Sequence, residues 1–324
     1  MERLSPAILE AFGVHSRKTK KEKGHYLCDT AKGLVKIHTT YESVEAVCLQ
    51  HSIKEHLAAE GFPWTDRFQL TKGGQPYMLI GRETYIATLH PNKQHETDFE
   101  NEADVLQAFE ALARFHIASS QMPQKKIISS PPLPDIYARQ MNELTQARKQ
   151  ARRGSRMSDF DVSFIKHAPD TGEIIKTAID RLAKTNYIQL HNAAINQGSL
   201  CHNALKEENL LTTGSTTYIT NFSNATIDLQ LSDLGALIRR YAQRSSKSIA
   251  VGNLLEAYDK ISPLPSQANH ILYAQLIFPW AFMKLVTQYY SKKRNWTPNG
   301  LHNRMETLLA ERESYEKYIE SCIK

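Results

Sequence analysis

His202-Asn203-Ala204-Leu205-Lys206-Glu207-Glu208-Asn209 has the spacing of a phosphoryl-transfer loop, H-x-D-x-x-x-x-N, with alanine where that loop carries its aspartate. Further on, Thr220-Asn221-Phe222 stands where a metal-binding aspartate follows, so two acidic positions are replaced together. The loop aspartate orients the acceptor hydroxyl and takes its proton, which demands a carboxylate at that backbone position. Ala204 has none. Glu207 and Glu208 lie three and four positions on and project elsewhere unless the loop is remodelled, and catalytic groups tolerate little misplacement. Asn221 offers an amide oxygen that can ligate a hard cation but brings no charge, so weak metal affinity is expected.

Outward from this loop, the chain changes character near residue 90. Before it, residues 26–30 and 33–38 read as two short strands around a Lys32-Gly33 turn, the second carrying Lys36 between Val35 and Ile37. Residues 41–60 turn helical, with Ala46, Leu49, Ile53 and Leu57 at three- and four-residue spacing, until Gly61-Phe62-Pro63 stops the run. Strands are expected at 67–71, 77–81 and 84–89, the first two joined by Lys72-Gly73-Gly74-Gln75. Beyond residue 97 the pattern is helical. A core helix opens over 98–102 and carries Val105, Leu106, Phe109, Leu112, Ala113 and His116 on one side. Pro131-Pro132-Leu133-Pro134 reads as a rigid connector, with helices at 135–153 and 172–197 separated by a loop. A strand at 217–222 follows the Thr213-Gly214-Ser215 turn, a helix begins at Leu231 and carries Leu237 and Ile238, and helices continue to the end. The expected division is an α+β lobe over 1–90 and a helical lobe over 91–324 that contains the loop.

A chain of 324 residues, 41% hydrophobic and 23% charged, has the length and composition for a sizeable core, which excludes a disordered or fibrous protein. The net charge of +6 is partly concentrated in residues 17–23 and 148–153. Such runs suit an acidic partner, but no aromatic residues are interleaved to stack bases. They read as a solvated loop and a polar helix face, and nucleic-acid binding is not expected. Residues 18–24 hold a single glycine, a poor phosphate cradle. Cys28, Cys48, Cys201 and Cys322 are far apart, so reduced, mostly buried thiols are expected rather than a zinc knuckle or a disulfide framework. His51, His56, His90 and His95 lack an H-E-x-x-H or carboxylate context, and no metal is expected on them. Tyr273, Phe278, Trp280, Phe282, Tyr289 and Tyr290 read as core packing in preference to a docking surface. With neither a secretory leader nor an apolar run of about 20 residues, synthesis in the cytoplasm without membrane insertion is expected.

A resemblance rests on Gly61-Phe62, Leu112-Ala113-Arg114-Phe115-His116, Cys201-His202 with Asn209-Leu210-Leu211, Asp228-Leu229 with Asp233-Leu234, and Phe278-Pro279 followed by Tyr289-Tyr290-Ser291-Lys292-Lys293. In this order they resemble the CotS-type spore coat proteins of endospore-forming bacteria, over nearly the whole chain. That family is similar to the aminoglycoside phosphotransferase and choline kinase branch of the kinase-like fold. The resemblance implies a two-lobed protein-kinase-like fold, with a small antiparallel-sheet N-lobe and a large helical C-lobe. It matches Lys36 to the strand lysine that contacts phosphates, paired with a helix glutamate such as Glu45 or Glu55. It matches His202 and Asp233 to residues that brace the loop, and Asn209 to one that helps hold magnesium. With Ala204 and Asn221 in the aspartate positions, it implies a non-catalytic structural protein of the spore coat, partnered by other coat proteins and needing no cofactor. Two alternatives stand beside it: a small-molecule phosphotransferase using ATP and magnesium, and a pseudokinase that binds nucleotide through Lys36 and the basic loop.

Overall fold

The computed structural model describes residues 4–22, 24–31, 33–123, 127–153, 157–247, 249–291 and 298–320. Lys23, Lys32, Lys292, Lys293 and Cys322, which figure in the expectations above, lie outside them. The chain forms two compact units. One comprises Met1–Ile128, Gln197–Ile227 and Ala257–Ser262; the other comprises Ser129–Asn196, Asp228–Glu256 and Pro263–Lys324.

The first unit is built on a five-stranded antiparallel sheet of β1 (Lys18–Glu22), β2 (His25–Thr30), β3 (Gly33–Thr40), β4 (Met78–Ile80) and β5 (Glu83–His90), in the order β1-β2-β3-β5-β4. Its register gives the two faces opposite characters. Cys28, Val35, Ile37 and Ala87 point to one side and bury against Leu4, Ile8, Phe12 and Val14, where the short helix α1 (Pro6–Ala11) covers them. The other side carries His25 and Leu27 of β2, Lys36 and His38 of β3, and Thr88 and His90 of β5. The basic run expected as a loop is therefore the edge strand β1, where successive charges discourage further strand pairing. Residues 67–71, expected as a strand, are extended but regular pairing does not develop. Phe68 bridges Thr88, and Gln69 and Leu89 exchange backbone bonds with Ala87 and Arg67 at 2.9 and 2.8 Å.

Helix α2 (Val44–Ala59) starts where the Ser43 hydroxyl accepts the Ala46 amide and stops at Gly61, whose φ of +89° a side chain would resist. Its buried stripe is Val47, Gln50, Ile53, Lys54 and Leu57, rotated from the expected one because Ala46 and Leu49 are only half-buried. The unit continues with β6 (His95–Glu96) and α3 (Glu102–Ala118), capped by the Asn101 side chain and buried along Val105, Phe109, Leu112, Ala113, Phe115 and His116. It is completed by β7 (Leu200–Cys201), a 3-10 turn (Glu207–Asn209), β8 (Leu210–Thr213), β9 (Thr216–Ile219) and β10 (Thr226–Ile227). The hairpin of β8 and β9 turns at Gly214, φ +57°, and β8 was not expected from sequence.

The second unit is helical: α4 (Leu133–Ala151), α5 (Asp159–Ala183), α6 (Tyr187–Gln197), α7 (Leu231–Arg244), α9 (Ala268–Ile277), α10 (Trp280–Tyr290) and α11 (Pro298–Glu320), with α8 (Val251–Asp259) shared between the units. Two expectations are corrected here. Leu133 and Pro134 form the first turn of α4, where a missing proline N–H costs nothing. The single helix expected over 172–197 is α5 and α6. A capping box of Ser158 and Asp161 starts α5 at residue 159, and the helix runs through Pro169 and past Gly172, the expected start. Of the aromatic segment, Phe278 and Phe282 are buried as expected, whereas Tyr273, Trp280, Tyr289 and Tyr290 are half-buried; Phe278 stacks on Tyr137 at 3.9 Å and Tyr289 on Phe160 at 4.0 Å.

Candidate functional site

The first unit brings together the loop, Asn221 and the polar face of the sheet. His202 is fully buried. Its Nε2 lies 2.9 Å from the Thr220 carbonyl, and its Nδ1 accepts the Ala204 amide at 3.2 Å. A carbonyl can only accept and an amide only donate, so the ring is neutral with its proton on Nε2. Phe115 and Phe222 hold the ring edge-on, at 6.4 and 4.9 Å between centroids.

Asn209 closes the loop from its other end. Its Nδ2 donates to the Ala204 carbonyl at 2.8 Å, and its own carbonyl accepts the Thr220 amide at 2.9 Å. Ala204 thus has both backbone groups bonded, and its side chain is a methyl that offers no proton acceptor. Glu208 is exposed and paired with Lys206 at the surface. Asn203 and Asn221 both take positive φ, +58° and +66°, a region that asparagine tolerates better than most residues. The Asn221 side-chain oxygen accepts the Ser223 hydroxyl at 2.7 Å, and its Nδ2 reaches toward Asn209 Oδ1 at 3.5 Å.

The carboxylate nearest to this pair in the hydrogen-bond network is Asp66, which sequence reading missed. Its Oδ1 accepts the Asn221 amide at 3.3 Å and pairs with Lys54 Nζ at 2.9 Å; Lys54 also donates to the Asp66 carbonyl at 2.9 Å. The Lys54 side chain is 1% exposed and sits over the Phe68 ring at 4.3 Å. A lysine four residues after Gln50 and three before Leu57, on the buried stripe, was the available signal.

Lys36 is half-buried on the polar sheet face, and no ion pair joins it to Glu45 or Glu55 among the described residues. Glu55 is taken by the fork of Arg67, and Glu45 is exposed in the first turn of α2. Around Lys36, burial first and then the charge of Lys36 hold His38 at a pKa of about 4. Burial likewise holds His90 at about 4, against the opposing pull of Asp66. Both rings are neutral at neutral pH, and His38 Nδ1 is buried without a hydrogen-bond partner. The potential metal donors are two neutral amides and one carboxylate already shared with an ammonium, a set low in the negative charge that magnesium sites use. The face around Lys36 suits an anion better than a cation. Asp233 lies fully buried in the first turn of α7, in the second unit.

The family described as "Spore coat putative kinase YutH" matches residues 5–322. The endospore coat-associated protein YutH of Bacillus subtilis (strain 168) is 20% identical over 322 residues, covering 97% of this chain and 91% of that protein. Spore coat protein S of the same organism is 23% identical over 164 residues, half of this chain and 47% of that protein, so the chain spans under half its length. Among solved structures, an aminoglycoside phosphotransferase from Alicyclobacillus acidocaldarius superposes with a TM-score of 0.84 at 17% identity, over 99% of this chain and 96% of that one. At that identity the likeness shows the fold: two-lobed and kinase-like, as expected from sequence.

Proposed function

The chain belongs to the spore coat putative kinase family, and from that premise we propose that it is a non-catalytic structural or scaffolding protein of the endospore coat. The observation that carries this reading is the state of the loop. Its hydrogen bonds close through His202, Ala204 and Asn209 with no carboxylate at the base position. Asn221 supplies no charge, and Asp66 is committed to Lys54. Phosphoryl transfer rests on positioning plus electrostatic stabilisation, and both acidic contributors are replaced. On this reading the protein is made in the cytoplasm, comes to rest in the coat and has other coat proteins as partners. Among the described residues no helix is long and apolar enough to cross a membrane.

One observation favours a second reading, a pseudokinase that keeps a ligand. Lys36 offers a positive charge on the polar sheet face, and among the described residues no carboxylate forms an ion pair with it. A phosphate-bearing ligand there would not need magnesium, and neither reading requires a cofactor for chemistry.

Equilibrium binding of ATP, with and without magnesium, separates these readings. A ligand bound only by the native state at 100 times its Kd adds about 2.7 kcal/mol, visible as a rise in Tm. No rise at saturating nucleotide supports the scaffold; a metal-independent rise supports the second reading; a strictly magnesium-dependent rise with turnover of ATP overturns both. In sporulating cells, Lys36→Ala and Asn209→Ala should leave coat assembly intact, and Phe115→Ala should abolish it.

A further inference from the structure

The second unit holds a crevice of about 1270 Å3 bordered by α5, the C-terminal half of α7 with residues 245–247, α9, α10 and α11. Seven lysines and arginines line it against three glutamates, and one of those glutamates, Glu316, is paired with Arg312 at 2.6 Å. Arg239 is half-buried in the crevice wall, and among the described residues no carboxylate lies within ion-pair distance of it. Its contacts are the Gln275 carbonyl at 3.4 Å and the face of Trp280 at 5.7 Å. Burial lowers its pKa from the usual arginine value, with Tyr315 and Tyr137 pulling the other way. A guanidinium nevertheless keeps its proton, so it cannot escape the cost of burial by becoming neutral.

Two more buried donors accompany it. The Tyr137 hydroxyl and Gln275 Nε2 have no hydrogen-bond partner. Tyr137 is fixed between Phe278, stacked at 3.9 Å, and Trp280, edge-on at 5.7 Å. Gln275 is held against Gly235, where an added Cβ would come within 2.5 Å of its Oε1. Neither of these two lines the crevice, so Arg239 is the donor of the three that a ligand in the crevice meets.

We infer that this crevice binds an acidic peptide segment of a partner protein, one carboxylate of which pairs with Arg239. The excess of positive charge selects an acidic sequence. A planar guanidinium accepts a carboxylate with two parallel hydrogen bonds. The crevice is larger than a lone carboxylate or phosphate fills, and Tyr273, Trp280 and Tyr315 line it with the aromatic surface that anchors peptide side chains. This inference does not depend on the state of the catalytic loop.

The test is fluorescence anisotropy with a dye-labelled octapeptide of alternating glutamate and leucine, and with its glutamine counterpart, on the full chain. The glutamate peptide should bind, and the glutamine peptide should bind about tenfold more weakly or worse. Arg239→Met should weaken the glutamate peptide by about tenfold. Lys176→Met, the same loss of charge on α5 but outside the crevice, should leave affinity unchanged. If Arg239→Met fails to fold, tryptophan emission decides: peptide should shift it in the wild type and not in Trp280→Phe. The inference is overturned if neither peptide binds, if the glutamine peptide binds equally, if Arg239→Met and Lys176→Met behave alike, or if binding leaves Trp280 emission unchanged. Displacement of the peptide by inorganic phosphate at equal concentration would also overturn it, since the site would then be one for a free anion.

Discussion

Replacing Asp66 with alanine strips the counter-charge from Lys54, and its cost can be worked from the geometry. The ammonium is 1% exposed, lies 2.9 Å from Asp66 Oδ1 and 2.9 Å from the Asp66 carbonyl, and covers the Phe68 ring at 4.3 Å. Removing one partner of a buried pair costs about 3–5 kcal/mol, because the surviving charge is left uncompensated. The backbone carbonyl and the ring survive the substitution, which places the expected loss near the lower end, about 3 kcal/mol. Lys54→Met should cost less than Asp66→Ala, since Asp66 is 12% exposed and retains the Asn221 amide. The double variant Lys54→Met/Asp66→Asn should fall within about 1 kcal/mol of wild type, as buried pairs replaced as a unit often do. Urea unfolding followed by tryptophan emission measures all four proteins, with Trp64 packed on Phe62 at 5.5 Å reporting on the first unit. The reasoning fails if Asp66→Ala costs under about 1 kcal/mol, or if the double variant costs as much as Asp66→Ala alone.

Four further outcomes are expected. Phe115→Ala, which empties a fully buried position in contact with Phe62, His202 and Phe222, should cost about 3–5 kcal/mol in urea unfolding. Gly235→Ala should cost about 1–3 kcal/mol, because its Cβ would meet Gln275 Oε1 at 2.5 Å, and a Tm equal to wild type would show that Gln275 simply swings away. His38 and His90 stay neutral in the folded state from a pKa of 6.5 down to about 4, whereas the unfolded chain takes up their protons. Stability is thus lost as pH falls through this window, at up to about 1.4 kcal/mol per pH unit for each ring. His38→Gln/His90→Gln should flatten that dependence. Asp228, raised by burial to about 6, works oppositely: the stability from its proton is present at acid pH and lost as pH rises through about 6, and Asp228→Asn should remove that loss.

Much of the fold was legible because its signals are local. Alternation over residues 33–38, the Gly61 stop and the apolar positions of α3 each follow from a few neighbouring residues. The misreadings share a cause in tertiary context. Gly172 reads as a helix start, yet α5 begins at Asp159 and runs through Pro169 and Gly172. Residues 18–22 look like a solvated charge run, yet pairing with β2 makes them a strand. At the candidate site, His202, Asn209 and Asn221 were found by spacing, because the loop is contiguous and Asn221 follows it closely. Lys54 and Asp66 were not, because their partnership crosses from helix to extended segment and no local pattern encodes it.

The residues that give the loop its shape differ from those on which phosphoryl transfer depends. His202 grips Thr220 and Ala204 through backbone atoms, Asn209 grips Ala204 and Thr220 likewise, and Phe115 and Phe222 wedge the imidazole. None of these contacts uses the side chain of residue 204. The loop's backbone groups are bonded without it, so alanine costs the fold nothing that these bonds supply. At position 221, the backbone amide donates to Asp66 Oδ1 at 3.3 Å, while the side-chain amide gives a hydrogen bond to Asn209 Oδ1 and accepts one from Ser223. A carboxylate there could not donate to Asn209 Oδ1, and two acceptor oxygens so placed repel one another unless a cation joins them. On the proposed reading, a sequence released from catalysis keeps the bonds that shape the loop and sheds the charges that only a bound metal would have stabilised.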